Sequence, residues 1–108
     1  MAKPKHGRFG KMIAKAGKRD ALAALMLQAA TDVETQGEGC YVYTISTSDT
    51  EPDAVWIHEV WETEEAANAA LQLEAVRAMI PRVMELVDRF EDLVRVDVLG
   101  GAGVPAVE

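Results

Sequence analysis

Residues 55–66, VWIHEVWETEEA, form the stretch that decides the fold, because a strand is predicted to become a helix within it. Up to residue 61 the composition is β-branched, aromatic and apolar, which fits a half-buried strand. Thr63 can accept a backbone N–H as a helix N-cap, and Glu64 and Glu65 then place negative charge in the first turn, where the helix dipole favours it. The stretch therefore predicts a strand that turns sharply into a helix.

The predicted strand has two different faces, because successive side chains of a strand point to opposite sides of a sheet. One face carries Val55, Ile57, Glu59 and Trp61, and the other carries Trp56, His58 and Val60. Each face has one tryptophan and one titratable side chain. Glu59 and His58 are therefore not expected to serve the same pocket.

Working outward, periodicity predicts the elements that precede this stretch. Residues 8–15 alternate loosely and indicate a first strand. Residues 19–36 indicate a helix, because Leu22, Leu25, Met26, Ala29, Ala30 and Val33 form one apolar stripe. Residues 40–47 form a second strand, and the polar residues 48–53 are a connection of hairpin length. The strands on either side of it are therefore predicted to be antiparallel neighbours.

The elements that follow Thr63 are less regular. The second helix is rich in alanine, and its stripe of Val76, Ile80, Val83 and Val87 continues past Pro81. Proline lacks a backbone donor and clashes with the preceding turn, so a kink or restart is expected there. Residues 93–99 alternate apolar and charged side chains and predict the last strand. The order β-α-β-β-α-β is ferredoxin-like: an α+β fold with a four-stranded antiparallel sheet and both helices on one face.

Three segments follow from this order: a flexible leader at residues 1–7, a domain at 8–99 and a tail at 100–108. The sheet face without helices would be too apolar to remain in water. A homodimer that packs sheet on sheet is therefore expected.

Composition excludes several classes of partner. The net charge of −7 repels phosphate backbones, so no nucleic-acid partner is expected, and Lys3, Lys5, Arg8 and Lys11 are interpreted as a solvated leader. No apolar run is long enough to span a membrane, and a cytoplasmic location is predicted. Cys40 has no partner for a disulfide and is interpreted as a small buried hydrophobe. His6 and His58 lie far apart in sequence, so no metal is predicted.

Four passages resemble a known family: AKAGK at 14–18, GCYVY at 39–43, EVWE at 59–62 and EEA at 64–66. They resemble the antibiotic biosynthesis monooxygenase-like, or quinol monooxygenase-like, dimeric α+β barrels, and the resemblance spans residues 8–99. It implies oxygenation of phenols, quinols or polyketide aromatics without a cofactor, in a pocket between the sheet and the helices of each subunit.

Departures from the family pattern leave the function open, and a mainly structural assembly domain is a third possibility beside the two that follow. Many relatives have histidines where this chain has Ala70 and Ala75, and the haem-degrading branch has Asn, Trp and His where this chain has Gly10, Ala70 and Ile80. Haem degradation is therefore not expected. The first function is oxidation of a small aromatic or quinol substrate with dioxygen and no cofactor. The alternative is a dimer of the same fold that binds a small ligand without turnover.

Candidate site residues follow from the chemistry of such a reaction, which needs a base and an apolar, orienting cavity. His58 is the predicted base, because imidazole titrates near pH 6.5, and its alternative is a satisfied sheet or interface histidine. Glu59 is interpreted as a structural carboxylate, so His58→Ala is expected to lower turnover more than Glu59→Ala. The predicted substrate-binding residues, each with an alternative role in packing or at the surface, are Trp61, Trp56, Tyr41, Tyr43, Asn68 and Arg77.

Overall fold

A computed structural model of the chain describes residues 4–105 and has seven main elements. In chain order they are β1 (Lys5–Ala14), α1 (Arg19–Gln36), β2 (Cys40–Ser48), β3 (Glu51–Trp61), α2 (Glu64–Ala70), α3 (Glu74–Leu86) and β4 (Val87–Val98). The strands form one antiparallel sheet in the order β2-β3-β1-β4. The predicted ferredoxin-like α+β fold is therefore confirmed, with the second helical region divided into two helices.

The junction that decides the fold forms as the sequence predicts. The hydroxyl oxygen of Thr63 accepts the backbone N–H of Ala66 at 3.0 Å, which is an N-cap of α2. β2 and β3 pair as an antiparallel hairpin. Only residues 49 and 50 connect them, because β3 begins at Glu51 rather than near residue 55. Pro52 fits in the strand because β1 pairs with β3 only as far as Ala54, so no neighbour on that side needs its missing N–H.

The core lies between the sheet and the helices, in two clusters of buried side chains. The first joins Val55 and Ile57 of β3 to Leu22 and Met26 of α1 and to Val83 of α3. The second surrounds Trp61 with the buried residues Val33, Ala67, Ala70 and Val76. Because Val55, Ile57 and Trp61 all pack on helices, the face of β3 that also carries Glu59 is the helix-facing side. The predicted division of β3 into two faces agrees with this packing.

The second helical region departs from its prediction in two places. It breaks at residues 71–73, where three successive backbone N–H groups bond the carbonyl three residues earlier. α3 then runs through Pro81, which lies at an exposed position of the helix. Val87 begins β4 instead of ending the helix, and Ile80 is exposed, so the buried stripe of α3 is Val76, Met79 and Val83.

The predicted leader also needs correction. β1 begins at Lys5, so residues 5–7 belong to the sheet, and Lys5, Arg8 and Lys11 are strand residues rather than a solvated arm. Residues 1–3 and 106–108, at the ends of the predicted leader and tail, lie outside the described residues. Within residues 4–105, no helix combines the length and the apolar character that crossing a membrane requires.

Candidate functional site

A cavity of about 650 Å³ lies on the helix-facing side of the sheet, along β1, β3 and β4. Such a volume is in the range that holds a small organic ligand. Eight of its lining residues lie on the side of the sheet that faces the helices or in a bulge of β4. They are Arg8, Gly10, Met12, Ile57, Glu59, Phe90, Leu93 and Arg95. Phe9, Lys11 and Val94 alternate with these along the strands. Among the described residues, none of those lining the cavity belongs to a helix, so it opens beside the helices rather than beneath them.

A bulge in β4 shapes the floor of this cavity. The β1–β4 register shifts between Phe9 and Lys11, and Asp92 adopts a positive φ of 54° there. Leu93 consequently lies against Gly10: a Cβ added to Gly10 would be 2.5 Å from the Leu93 Cδ2 atom and 3.1 Å from its Cα. The missing side chain of Gly10 therefore permits the close approach that places Leu93 in the lining.

The polar end of the cavity is built around Glu59 and Arg8, which are register partners on β3 and β1. The Trp61 indole N–H donates a 2.9 Å hydrogen bond to Glu59 Oε1. Burial raises the pKa of the Glu59 carboxyl, while the Trp61 hydrogen bond and the charge of Arg8 act in the opposite direction. Glu59 is thus a partly desolvated carboxyl in an otherwise largely apolar cavity, which is the environment of a candidate proton acceptor.

Arg8 is held in place by two neighbours that are not carboxylates. Its Nε donates to the His6 Nε2 atom at 2.9 Å, and its Nη2 donates to the Asn68 Oδ1 atom at 2.7 Å. Asn68 was predicted to contact substrate, and the structure places it on α2 as a partner of Arg8. Both contacts fix the guanidinium without cancelling its charge.

His58 lies on the side of the sheet opposite to Glu59, because the two residues are adjacent in β3. Its register partners are Phe9 of β1 and Thr44 of β2. Its ring packs edge-on against Phe9 at a centroid distance of 5.2 Å. Trp56 is on the same side, with the Lys11 ammonium 5.5 Å from its ring centroid. His58 is therefore not part of the lining of the cavity on the helix side, and its predicted catalytic role stays a prediction.

Alternation along a regular strand would place Tyr41 and Tyr43 on one face, but a bulge in β2 between Cys40 and Val42 separates them. Tyr43 packs edge-on against Trp61, and burial raises its pKa. Tyr41 instead donates a hydrogen bond to Glu62 and lies 5.8 Å from the Lys5 ammonium. The extra residue of a bulge reverses the alternation, so a period of two could not predict this separation.

The remaining candidates lie away from the cavity. Arg77 is exposed on α3, and Trp61 is a core residue, 1% exposed, that reaches the site only through its hydrogen bond to Glu59. Cys40, interpreted from the sequence as a small buried hydrophobe, is only partly buried, and burial raises the pKa of its thiol to about 11, so the thiol stays protonated at neutral pH. Among the described residues, the cavity lining includes none of the seven side chains predicted from the sequence.

Sequence reasoning missed Arg8, Arg95 and the cavity role of Glu59. Arg8 begins the first strand predicted at residues 8–15, but its charge was attributed to a solvated leader. Its position opposite Glu59 depends on the β1–β3 register, which is a tertiary feature.

The fold and the cavity together define a ferredoxin-like α+β domain with a site for a small molecule. A sequence profile of the antibiotic biosynthesis monooxygenase family matches residues 8–82. The chain belongs to this family, as the resemblance suggested. No protein of curated function is similar enough to count as a match.

Several solved structures share the fold. A provisional antibiotic biosynthesis monooxygenase from Chloroflexus aurantiacus J-10-fl is 33% identical, with a TM-score of 0.85 over 94% of this chain and 99% of that one. A second such protein, from Caulobacter crescentus CB15, is 16% identical, with a TM-score of 0.81 over 91% and 92% of the two chains. A third, from Nitrosomonas europaea, is 14% identical, with a TM-score of 0.81 over 92% and 94%. The last two support the fold alone.

Proposed function

We propose that this protein binds a small phenol or quinol in the cavity and oxidises it with dioxygen, without a cofactor. Glu59 carries this proposal, because it is a partly buried carboxyl of raised pKa that lines an apolar cavity directly opposite Arg8. A carboxyl of raised pKa is closer to the ideal for proton transfer near neutral pH than an ordinary one. Membership of the antibiotic biosynthesis monooxygenase family supports the same reaction class.

In the proposed reaction, Glu59 accepts the phenolic proton and Arg8 stabilises the resulting phenolate. The electron-rich anion then transfers an electron to dioxygen, and the two radicals combine to form a C–O bond. Loss of water leaves a carbonyl, so the substrate gains one oxygen atom and loses two hydrogens while the second oxygen atom leaves as water. Met12, Ile57, Phe90 and Leu93 supply the apolar surroundings for the ring.

A second function, ligand binding without turnover, is supported by the positions of the two histidines. His58 faces away from the cavity, and His6 is engaged by Arg8. At one position where many relatives have histidine, this chain has Ala70, which is buried beside Trp61 in the core. If Glu59 is insufficient as a base, the cavity would bind its ligand but not activate it.

Oxygen uptake separates these two functions. The purified protein is mixed anaerobically with a panel of hydroquinones and anthrones, and oxygen is then admitted in an electrode cell with and without catalase. The first function predicts protein-dependent uptake that catalase leaves unchanged, since monooxygenation releases water rather than peroxide. Quenching of tryptophan fluorescence by a ligand, with uptake no faster than in protein-free controls, would favour the second function and contradict the first.

We also propose a homodimer in which the outer sheet faces of two subunits pack together. This face carries Phe9, Trp56, His58 and Val94, which are partly or fully exposed, whereas both core clusters lie on the helix side. An apolar sheet face of this kind is typical of an interface. The cytoplasmic location expected from the sequence stays a prediction.

His58→Glu is expected to weaken the dimer about 100-fold or more, because it buries a carboxylate without a partner at the interface. His58 is exposed, so the monomer fold should tolerate the change. Analytical ultracentrifugation at micromolar concentration gives the measurement. The matched control is Leu27→Glu on α1, where the side chain is 56% exposed. A wild-type protein that is monomeric under these conditions would contradict the proposed interface.

A further inference from the structure

Two arginines on neighbouring strands line the cavity. Arg8 of β1 and Arg95 of β4 are register partners, so they share a face of the sheet, and both line the cavity. Like charges directly opposite each other on neighbouring antiparallel strands destabilise a sheet. An anion that lies between the two guanidinium groups compensates for the repulsion between their positive charges.

Among residues 4–105, few side chains offer such an anion. Arg8 donates to His6 and Asn68, neither of which is a carboxylate. The Arg95 Nη1 atom is 3.7 Å from a carboxylate oxygen of Glu64, and both side chains are at least half exposed, so this pair is weak and screened by solvent.

The cavity is therefore positive within an acidic chain. Among the described residues, the helix-facing part of its lining contains two basic residues, Arg8 and Arg95, and one acidic residue, Glu59, whereas the whole chain carries a charge of −7. Lys11 also lines the cavity, but its ammonium lies over Trp56 on the outer face. The Lys11 ammonium has its own carboxylate partner, Glu51, at 2.8 Å. Even with Glu59 ionised, the two arginines leave one positive charge without a partner in the lining.

We infer that the ligand of this cavity is an aromatic acid that bears a phenolic hydroxyl, with its carboxylate bound between Arg8 and Arg95. The inference rests on the proposed function and specifies its substrate class. Arginine binds a carboxylate through paired N–H donors, and Met12, Ile57 and Phe90 provide an apolar surface for the ring. Glu59, Arg8 and Arg95 form one row across β3, β1 and β4, with neighbouring strands about 5 Å apart. A carboxylate near Arg95 therefore directs the phenolic end of the ring towards Glu59.

Binding of three matched probes tests the substrate class: 2,5-dihydroxybenzoate, its methyl ester and hydroquinone. Their dissociation constants are measured by calorimetry under anaerobic conditions at low and high salt. We expect the acid to bind about 10-fold or more tightly than the ester, since hydrogen bonds to a charged group are strong. Higher salt should weaken only the acid.

Arg95→Gln is expected to abolish the preference for the acid, whereas Arg77→Gln, which changes an exposed arginine on α3, should retain it. Arg95→Lys should restore part of the preference and thereby exclude misfolding as the cause. Equal affinity for acid and ester would overturn the inference, and oxygen uptake with hydroquinone would show that the proposed function survives. A preference unchanged by Arg95→Gln would also overturn it, because the carboxylate would then bind elsewhere. Failure of all three probes to bind would overturn both proposals.

Discussion

Glu59→Gln is expected to lower kcat by about 10²- to 10⁴-fold, the usual contribution of a general base. Glutamine retains the size of the side chain and can still accept the Trp61 N–H, but it cannot take a proton from the substrate. Steady-state oxygen uptake gives kcat and KM. KM should change much less than kcat, because the apolar lining and Arg8 are unaltered.

The pH dependence of the reaction tests the same role. The base must be ionised to accept a proton, and burial raises the pKa of Glu59 above its usual value. Activity should therefore rise with pH and reach half its maximum above the usual range for a glutamate. In the Gln variant, this acid limb should be absent from the residual activity.

The pH dependence of the free energy of unfolding provides a control, because the raised pKa of Glu59 determines its direction. Because the pKa of Glu59 is raised in the folded state, the native protein binds this proton more tightly than the unfolded chain does. The stabilising contribution is present at low pH and is lost as pH rises through the folded-state pKa. Removing the negative charge of Glu59 in Glu59→Gln should therefore not lower the thermal stability at neutral pH. A large loss of activity in this variant would then not be caused by unfolding.

His58→Ala is the matched comparison, and the sequence alone predicted that it would have the larger effect. For a cavity on the helix side we propose the opposite order, because His58 pairs with Phe9 and Thr44 on the outer face. We expect this variant to retain near-normal kcat and the wild-type pH profile. A strong loss of activity in His58→Ala, together with little change in Glu59→Gln, would refute the assignment of Glu59 as the base.

Local signals predicted the features that neighbouring residues determine. The N-cap at Thr63 and the helix α1 depend on residues within one or two helical turns. The split of β3 into two faces depends on alternation within that single strand. The break before α3 was missed because Pro81 is a strong helix-breaking signal in sequence. Its exposed position, which makes it tolerable, is a feature of the folded protein.

The candidate site was harder to predict because it depends on register and on two bulges. Arg8 lies opposite Glu59 only through the β1–β3 pairing. Leu93 reaches the cavity only because β4 has a bulge opposite Gly10 of β1. Tyr41 and Tyr43 are separated only because β2 has a bulge after Cys40. A bulge inserts one residue and changes which side chains share a face, so alternation alone predicts the wrong neighbours beyond it.

Trp61→Ala is expected to destabilise the protein by about 3 to 5 kcal/mol, which is the usual cost of removing a large buried aromatic side chain. Trp61 is 1% exposed and packs among Val33, Ala67, Ala70 and Val76, where the small alanines let α2 approach its ring. Because a domain of this size is stable by only about 5–15 kcal/mol, the loss should be evident in urea denaturation. The matched control is Leu27→Ala on α1, where the side chain is 56% exposed and little stability should be lost.

Trp61→Phe separates the packing role of this residue from its effect on Glu59. Phenylalanine keeps most of the apolar ring but removes the N–H that donates to the Glu59 carboxylate. That hydrogen bond lowers the pKa of Glu59, so its loss should raise the pKa further and move the acid limb of activity to higher pH. Trp56→Phe should leave the limb in place, since Trp56 lies on the opposite face of the sheet. If the profiles of Trp61→Phe and the wild type coincide, Glu59 does not control the limb, and the base lies elsewhere.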